Sequence, residues 1–119
     1  MIKIPHVVLK GNIQIEEIFR NLDPIFIKED GLIIRVTNSF LSQDNETILV
    51  ETLVIEEGNK NQFFIVINQR EDGIVIRIFP GTDVEKTDGI KRSLAELAKQ
   101  ILSNYSTLKV GKTNLQDFL

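Results

Sequence analysis

Residues 25–41 read "IFIKEDGLIIRVTNSFL". Apolar residues recur at every second position on both sides of Asp30-Gly31. That period belongs to strands. Asp-Gly between two such runs marks a tight hairpin, because the mirror-image turn that suits twisted strands needs positive φ. Reading outward, "SQDNE" (42–46) is a second turn and "TILVETLVIEE" (47–57) a long strand. "GNKN" (58–61) turns into "QFFIVINQR" (62–70), and Glu71-Asp72-Gly73 into "IVIRIF" (74–79). Strands joined by turns this short predict an antiparallel meander. "KEDGLIIRV" (28–36) resembles "REDGIVIRI" (70–78), but the flanks differ. Two hairpins obeying one turn chemistry account for the likeness better than a duplication.

Helical periods bracket the meander. "IKIPHVVL" (2–9) reads as a first strand, with Pro5 placing it at an edge or a bulge. Asn12 is a candidate cap for a short helix with Ile15, Ile18, Phe19 and Leu22 on one stripe. Asp23-Pro24 ends it. After Pro80-Gly81, Thr82 with Glu85 forms one candidate capping box, and Thr87 is a second cap candidate. Residues 88–105 carry Ile90, Leu94, Leu97, Ala98, Ile101, Leu102 and Tyr105, a stripe broad enough to lie across a sheet. The expected fold is α+β, in the order β-α-β-β-β-β-β-α. About six antiparallel strands pack on a long C-terminal helix, with one domain over 1–109 and a tail over 110–119. Strands such as Ile74-Val75-Ile76 and Phe63-Phe64-Ile65-Val66 are apolar on both faces. The far face is therefore expected to be covered, and a second copy forming a homodimer is the commonest cover. Over residues 2–105 the element order resembles the TATA-binding-protein-like class, which includes the helix-grip proteins. The resemblance implies binding of a small apolar ligand between sheet and helix.

Composition excludes several chemistries. A chain of 119 residues makes one domain, with roughly two-thirds of its surface buried on folding. There is no cysteine for disulfides or thiolate metal sites, and His6 is the single histidine. No apolar run reaches membrane-span length and no signal peptide is read, so a soluble cytoplasmic protein is expected. The net charge is −3. Residues 1–85 carry 8 basic and 14 acidic side chains, which argues against a phosphate-tracking front half. Residues 86–112 carry 6 basic and 2 acidic, a solvated helix face or an approach to an acidic partner.

No arrangement of residues reads as catalytic. His6 lies beside Pro5 on a strand, without a nucleophile placed near it by sequence. The carboxylate pairs Glu16-Glu17, Glu29-Asp30, Glu56-Glu57 and Glu71-Asp72 mostly fall at turns and strand ends, where charge keeps edges from aggregating. Glu51, in "LVETLV", is the best candidate for a carboxylate in an apolar setting. Asp83, Glu85 and Asp88 could contribute to a hard-cation site, yet no 12-residue calcium loop is present. "VGKT" (110–113) lacks the upstream glycine of a phosphate loop, since position 106 is serine. No cofactor motif and no metal site are read, and the chain is expected not to be an enzyme. Five phenylalanines fall on the meander: Phe26, Phe40, Phe63, Phe64 and Phe79. No pattern of basic residues interleaved with these aromatics is read, so direct nucleic-acid binding is not expected.

The last ten residues, "VGKTNLQDFL", carry the functional expectation. The spacing of Lys112, Leu115, Phe118 and Leu119 resembles the PIP box, the peptide that binds DNA sliding clamps of the proliferating-cell-nuclear-antigen type. Leu115 matches the aliphatic plug and Phe118 the first aromatic. Leu119 stands at the second aromatic and Lys112 at the usual glutamine, both departures. The resemblance implies a non-enzymatic adaptor whose tail recruits a clamp. One turn over 115–118 would bring Leu115, Phe118 and Leu119 to one side. The same three side chains would serve equally well as a strap closing the chain's own core.

Overall fold

Three hairpin loops of two residues each define the sheet: Asp30-Gly31, Glu57-Gly58 and Glu71-Asp72, flanked by the pairs Glu29–Leu32, Glu56–Asn59 and Arg70–Gly73. Glu57 (φ 47°) and Gly58 (φ 82°) both lie in the left-handed region, the geometry that a mirror-image turn demands. The predicted turn over 58–61 is therefore shorter than expected, and its last residues are strand. The computed structural model describes residues 4–119, so residues 2 and 3 of the expected first strand lie outside the description. In chain order the elements are β1 (His6–Lys10), α1 (Ile15–Asn21), β2 (Ile25–Glu29), β3 (Leu32–Leu41), β4 (Thr47–Glu56) and β5 (Asn59–Arg70). There follow β6 (Gly73–Ile78), α2 (Asp88–Asn104), β7 (Lys109–Thr113) and a 3₁₀ turn, Gln116–Phe118.

All seven strands join one antiparallel sheet in the order β2-β3-β4-β5-β6-β1-β7. The expectation of about six strands misses β7, which lies in the tail. Both helices lie on one face. Ile34, Ile48, Val54, Ile65, Ile67, Ile74 and Ile76 of the sheet meet Ile18, Ile90, Leu94, Leu97 and Ile101 of the helices, all fully or almost fully buried. β1 is inserted between β6 and β7, where Gly73 is required: a Cβ there would collide with the Leu9 carbonyl oxygen.

Side chains from elsewhere in the chain fix the helix starts. Thr87, not Thr82, is the cap of α2, its hydroxyl accepting from the Ile90 N–H at 3.3 Å. Thr82 instead donates to the Phe79 carbonyl at 2.6 Å. The Glu56 carboxylate reaches α2 from the end of β4, accepting from the Thr87 hydroxyl and from the Gly89 N–H at 2.9 Å. Asn12 does not cap α1. Gln69 of β5 accepts from the Ile15 N–H at 3.0 Å and donates to the Ile13 carbonyl at 3.0 Å. It thereby satisfies a helix start that has no local side-chain cap.

The open sheet face as candidate functional site

Opposite the helices, no element of the described chain covers the sheet, and cross-strand register shows what stands there. One row runs Phe26, Arg35, Leu53, Gln62 across β2 to β5. A second runs Phe40, Leu49, Val66, Arg77, His6 across β3 to β1. A third runs Lys28, Ile33, Ile55, Lys60. Between them Glu51 faces Phe64, and the Phe79 N–H donates to the Phe64 carbonyl at 2.9 Å, setting Phe79 beside Phe64. Phe26, Phe40, Phe64 and Phe79 are 63%, 50%, 38% and 46% exposed, high values for side chains that normally go inside. Phe63 alternates to the helix side and is buried.

Charge divides between the two faces. Lys10, Lys28, Arg35, Lys60, Arg77 and Lys109 occupy open-face positions and are exposed, against the single carboxylate Glu51. Among the described residues none of these six cations is in an ion pair. Glu29 and Glu56, the other strand carboxylates, sit on the helix side and are engaged with α2. The Arg35 guanidinium lies over the Phe26 ring, 5.7 Å from its centroid, a geometry stabilised by the ring quadrupole. Arg77 Nε donates to Asn68 Oδ1 at 3.1 Å, which orients the guanidinium along the face. Glu51 Oε1 accepts from Thr37 and Asn38 at 3.0 Å each, at the irregularity in β3, and the carboxylate is exposed rather than held in an apolar pocket. A hollow of about 640 Å³ opens at the hairpin end of the same face, with Lys28, Ile33 and Ile55 in its wall.

Lys28, Arg35, Lys60 and Arg77, several residues from the phenylalanines along the chain, are thus brought onto the same sheet face by strand register. The acidic excess of the front half goes to turns, to α1 and to the helix side, so the linear charge count does not describe the open face.

The tail residues are placed differently. β7 pairs with β1, irregularly between Val7 and Leu9. The Thr113 hydroxyl donates to the His6 carbonyl at 2.7 Å, and Asn114 Oδ1 accepts from the His6 N–H at 3.0 Å. Leu115 is 1% exposed in the core, and Phe118 packs against that core from the 3₁₀ turn. Lys112 and Leu119 are exposed. The four residues of the expected partner peptide thus include two that face solvent and two that close the core.

Other sequence candidates carry little. The His6 ring Nδ1 lies 3.0 Å from the Ile4 carbonyl oxygen. Among the described residues, no three histidine or acidic side chains are grouped to hold a metal, Asp83, Glu85 and Asp88 included. No described helix is long and apolar enough to cross a membrane. Where β3 and β4 meet α2, a small space of about 20 Å³ lies beside Val36, Val50 and Leu97, on the scale of one water.

Over 61 residues, 51% of its length, the chain is 41% identical to the tRNA (guanine-N(7)-)-methyltransferase of Aquifex aeolicus (strain VF5). The match takes in 20% of that protein, so the chain spans at most a small part of the curated relative. No family model matches, and no solved structure matches.

Proposed function

We propose that this chain is a non-catalytic binding module that holds RNA on the open face of its sheet. One observation carries the reading: four exposed phenylalanines share one sheet face with six cations and one carboxylate, on a protein whose net charge is −3. Concentrating positive charge on one face of an acidic protein creates a local attraction for phosphate without general stickiness. Aromatic rings among those charges add a surface on which bases stack. The likeness to part of an enzyme that by its name acts on tRNA is consistent with this chemistry.

The helix-grip alternative, a small apolar ligand between sheet and helix, has less to support it, since the space beside Val36, Val50 and Leu97 is about 20 Å³. The adaptor alternative, a sliding clamp on the tail, requires β7 to leave β1 and Leu115 to leave the core before the peptide is free.

The test is binding of fluorescently labelled tRNA at increasing salt. Neutralising about four phosphates predicts that log K falls with log salt at a slope of roughly −3 to −4. Arg35→Ala with Arg77→Ala should lower the slope by about one to two. Binding that is absent at low salt, or insensitive to both substitutions, would sink the proposal.

A further inference from the structure

We infer that the open face selects unpaired RNA over duplex, with Phe64 and Phe79 forming a stacking platform for exposed bases. The inference rests on the RNA-binding reading and adds to it which form of RNA is held and by which contact. Phe64 and Phe79 sit side by side across the β5–β6 edge, tied by a 2.9 Å backbone hydrogen bond, and both rings are accessible. Phe40 lies on the neighbouring strand row, separated from Phe64 by Leu49 and Val66. In a duplex the base faces are occupied by neighbouring base pairs, so rings lying in a sheet surface have nothing to stack on. In an unpaired segment each base offers a free face to such a ring, whatever its sequence.

The cations agree with this geometry. Arg77 sits in the row next to Phe64, and Arg35 in the row on the other side of Glu51. Charges therefore flank the aromatic platform instead of forming one continuous stripe. That arrangement suits a single strand whose backbone follows the flanking charges while its bases reach the rings. Glu51 faces Phe64 directly, with its charge held by Thr37 and Asn38, and it disfavours a phosphate over the ring itself. The backbone is thereby kept to the flanks and the base to the ring.

The experiment uses the full chain and a tryptophan reporter, since the protein contains no tryptophan. Phe64→Trp places the only indole on the platform. A dodecamer of uridine and a blunt RNA duplex of the same length are titrated separately, and intrinsic fluorescence and anisotropy of the labelled RNA are followed together. Stacking predicts strong quenching by the dodecamer and little by the duplex, with the dodecamer bound about tenfold more tightly or better. Phe64→Ala with Phe79→Ala should weaken the dodecamer roughly tenfold or more while leaving the weak duplex binding and the circular dichroism unchanged. Equal affinity for both RNAs with no quenching would overturn stacking while leaving the RNA-binding reading standing. Absence of binding to either RNA would overturn both. Quenching or burial of the introduced indole by protein concentration alone, with a dimer in sedimentation, would assign the face to a second copy of the chain and overturn the inference.

Discussion

The two faces of one sheet differ in what their side chains are for. On the helix side, alternating isoleucines and valines are buried to within a few per cent, and no buried side-chain polar atom among the described residues lacks a partner. On the open side, the same strands carry phenylalanines that are about half exposed and, among the described residues, cations without ion pairs. The first face holds the fold, and on the proposed reading the second binds, so substitutions on the two should separate into losses of stability and losses of binding.

The largest effect is expected on the helix side, at the tail. Deleting residues 109–119 removes β7 and the core residue Leu115, so the melting temperature should fall by well over about 10 °C, or the protein should not fold. Leu115→Ala alone should cost about 3 kcal/mol, which corresponds to roughly 10 °C for a domain of this size. Differential scanning calorimetry measures both. An unchanged melting temperature after the deletion, together with loss of clamp binding in a pull-down, would restore the tail as a partner peptide and erase its membership of the closed side.

A second effect lies where β4 meets the start of α2. A Cβ on Gly89 would collide with the Glu56 carboxylate. Gly89→Ala should therefore destabilise despite alanine's better helix propensity, by about 1–2 kcal/mol, because it displaces a carboxylate that satisfies orphan helix donors. Thr87→Ala should cost about 1 kcal/mol by loss of the cap. Urea unfolding checks both, and a stabilised Gly89→Ala would show that the Glu56 contact carries no weight.

How much of this contrast was legible in the sequence depends on range. Asp30-Gly31 and Asp72-Gly73 announced their hairpins because the turn chemistry is local. The stripe of α2 was readable for the same reason. Thr87 won over Thr82 because Glu56, distant in sequence, comes to meet it. Gln69 as the partner of α1 carried no local signal at all. β7, "KVGKT", shows no apolar alternation, since an edge strand needs only a hydrogen-bonding neighbour, and Thr113 and Asn114 supply additional bonds. The open face was the deepest omission. Phe26 and Arg35 are neighbours, and Phe40 and Arg77 members of one cross-strand row, only once register is known. Knowing that β3 pairs with β2 through Asp30-Gly31 would already have placed Arg35 across from Phe26.

On the open side, Phe40→Ala and Phe64→Ala should each change stability by less than about 1 kcal/mol, since half-exposed rings bury limited area. Each should weaken RNA binding several-fold. Comparing the ratio of binding loss to stability loss with that of Leu115→Ala sharpens the division between faces. A Phe64→Ala protein that unfolds readily would show that the open face is a second core, covered in solution by another molecule.

The smallest effect is a pH dependence on the border between the faces. Glu29, at the end of edge strand β2, accepts from Arg92 of α2 at 2.6 and 2.8 Å. That paired hydrogen bond, with the guanidinium charge beside it, holds the Glu29 carboxyl below the ordinary glutamate range, and holds Arg92 above its own. Asp44 is lowered likewise by the Ser42 hydroxyl and the Glu46 N–H. A carboxyl lowered in the folded state binds fewer protons there than when unfolded, so its contribution is complete above the unfolded pKa. It is lost as pH falls through the unfolded value and then the lower folded value. Both carboxyls are solvent-accessible, so the expected change is a fall of roughly a few degrees in melting temperature on acidification from about pH 7 to about pH 3, reduced in Glu29→Gln and in high salt. Binding on the open face should not follow Glu29→Gln at neutral pH, because the pair ties β2 to the helix side and leaves Arg35 and Phe26 in place. If RNA affinity falls with that substitution, the edge strand is not held by its ladder to β3 alone, and the helix side sets the shape of the binding surface.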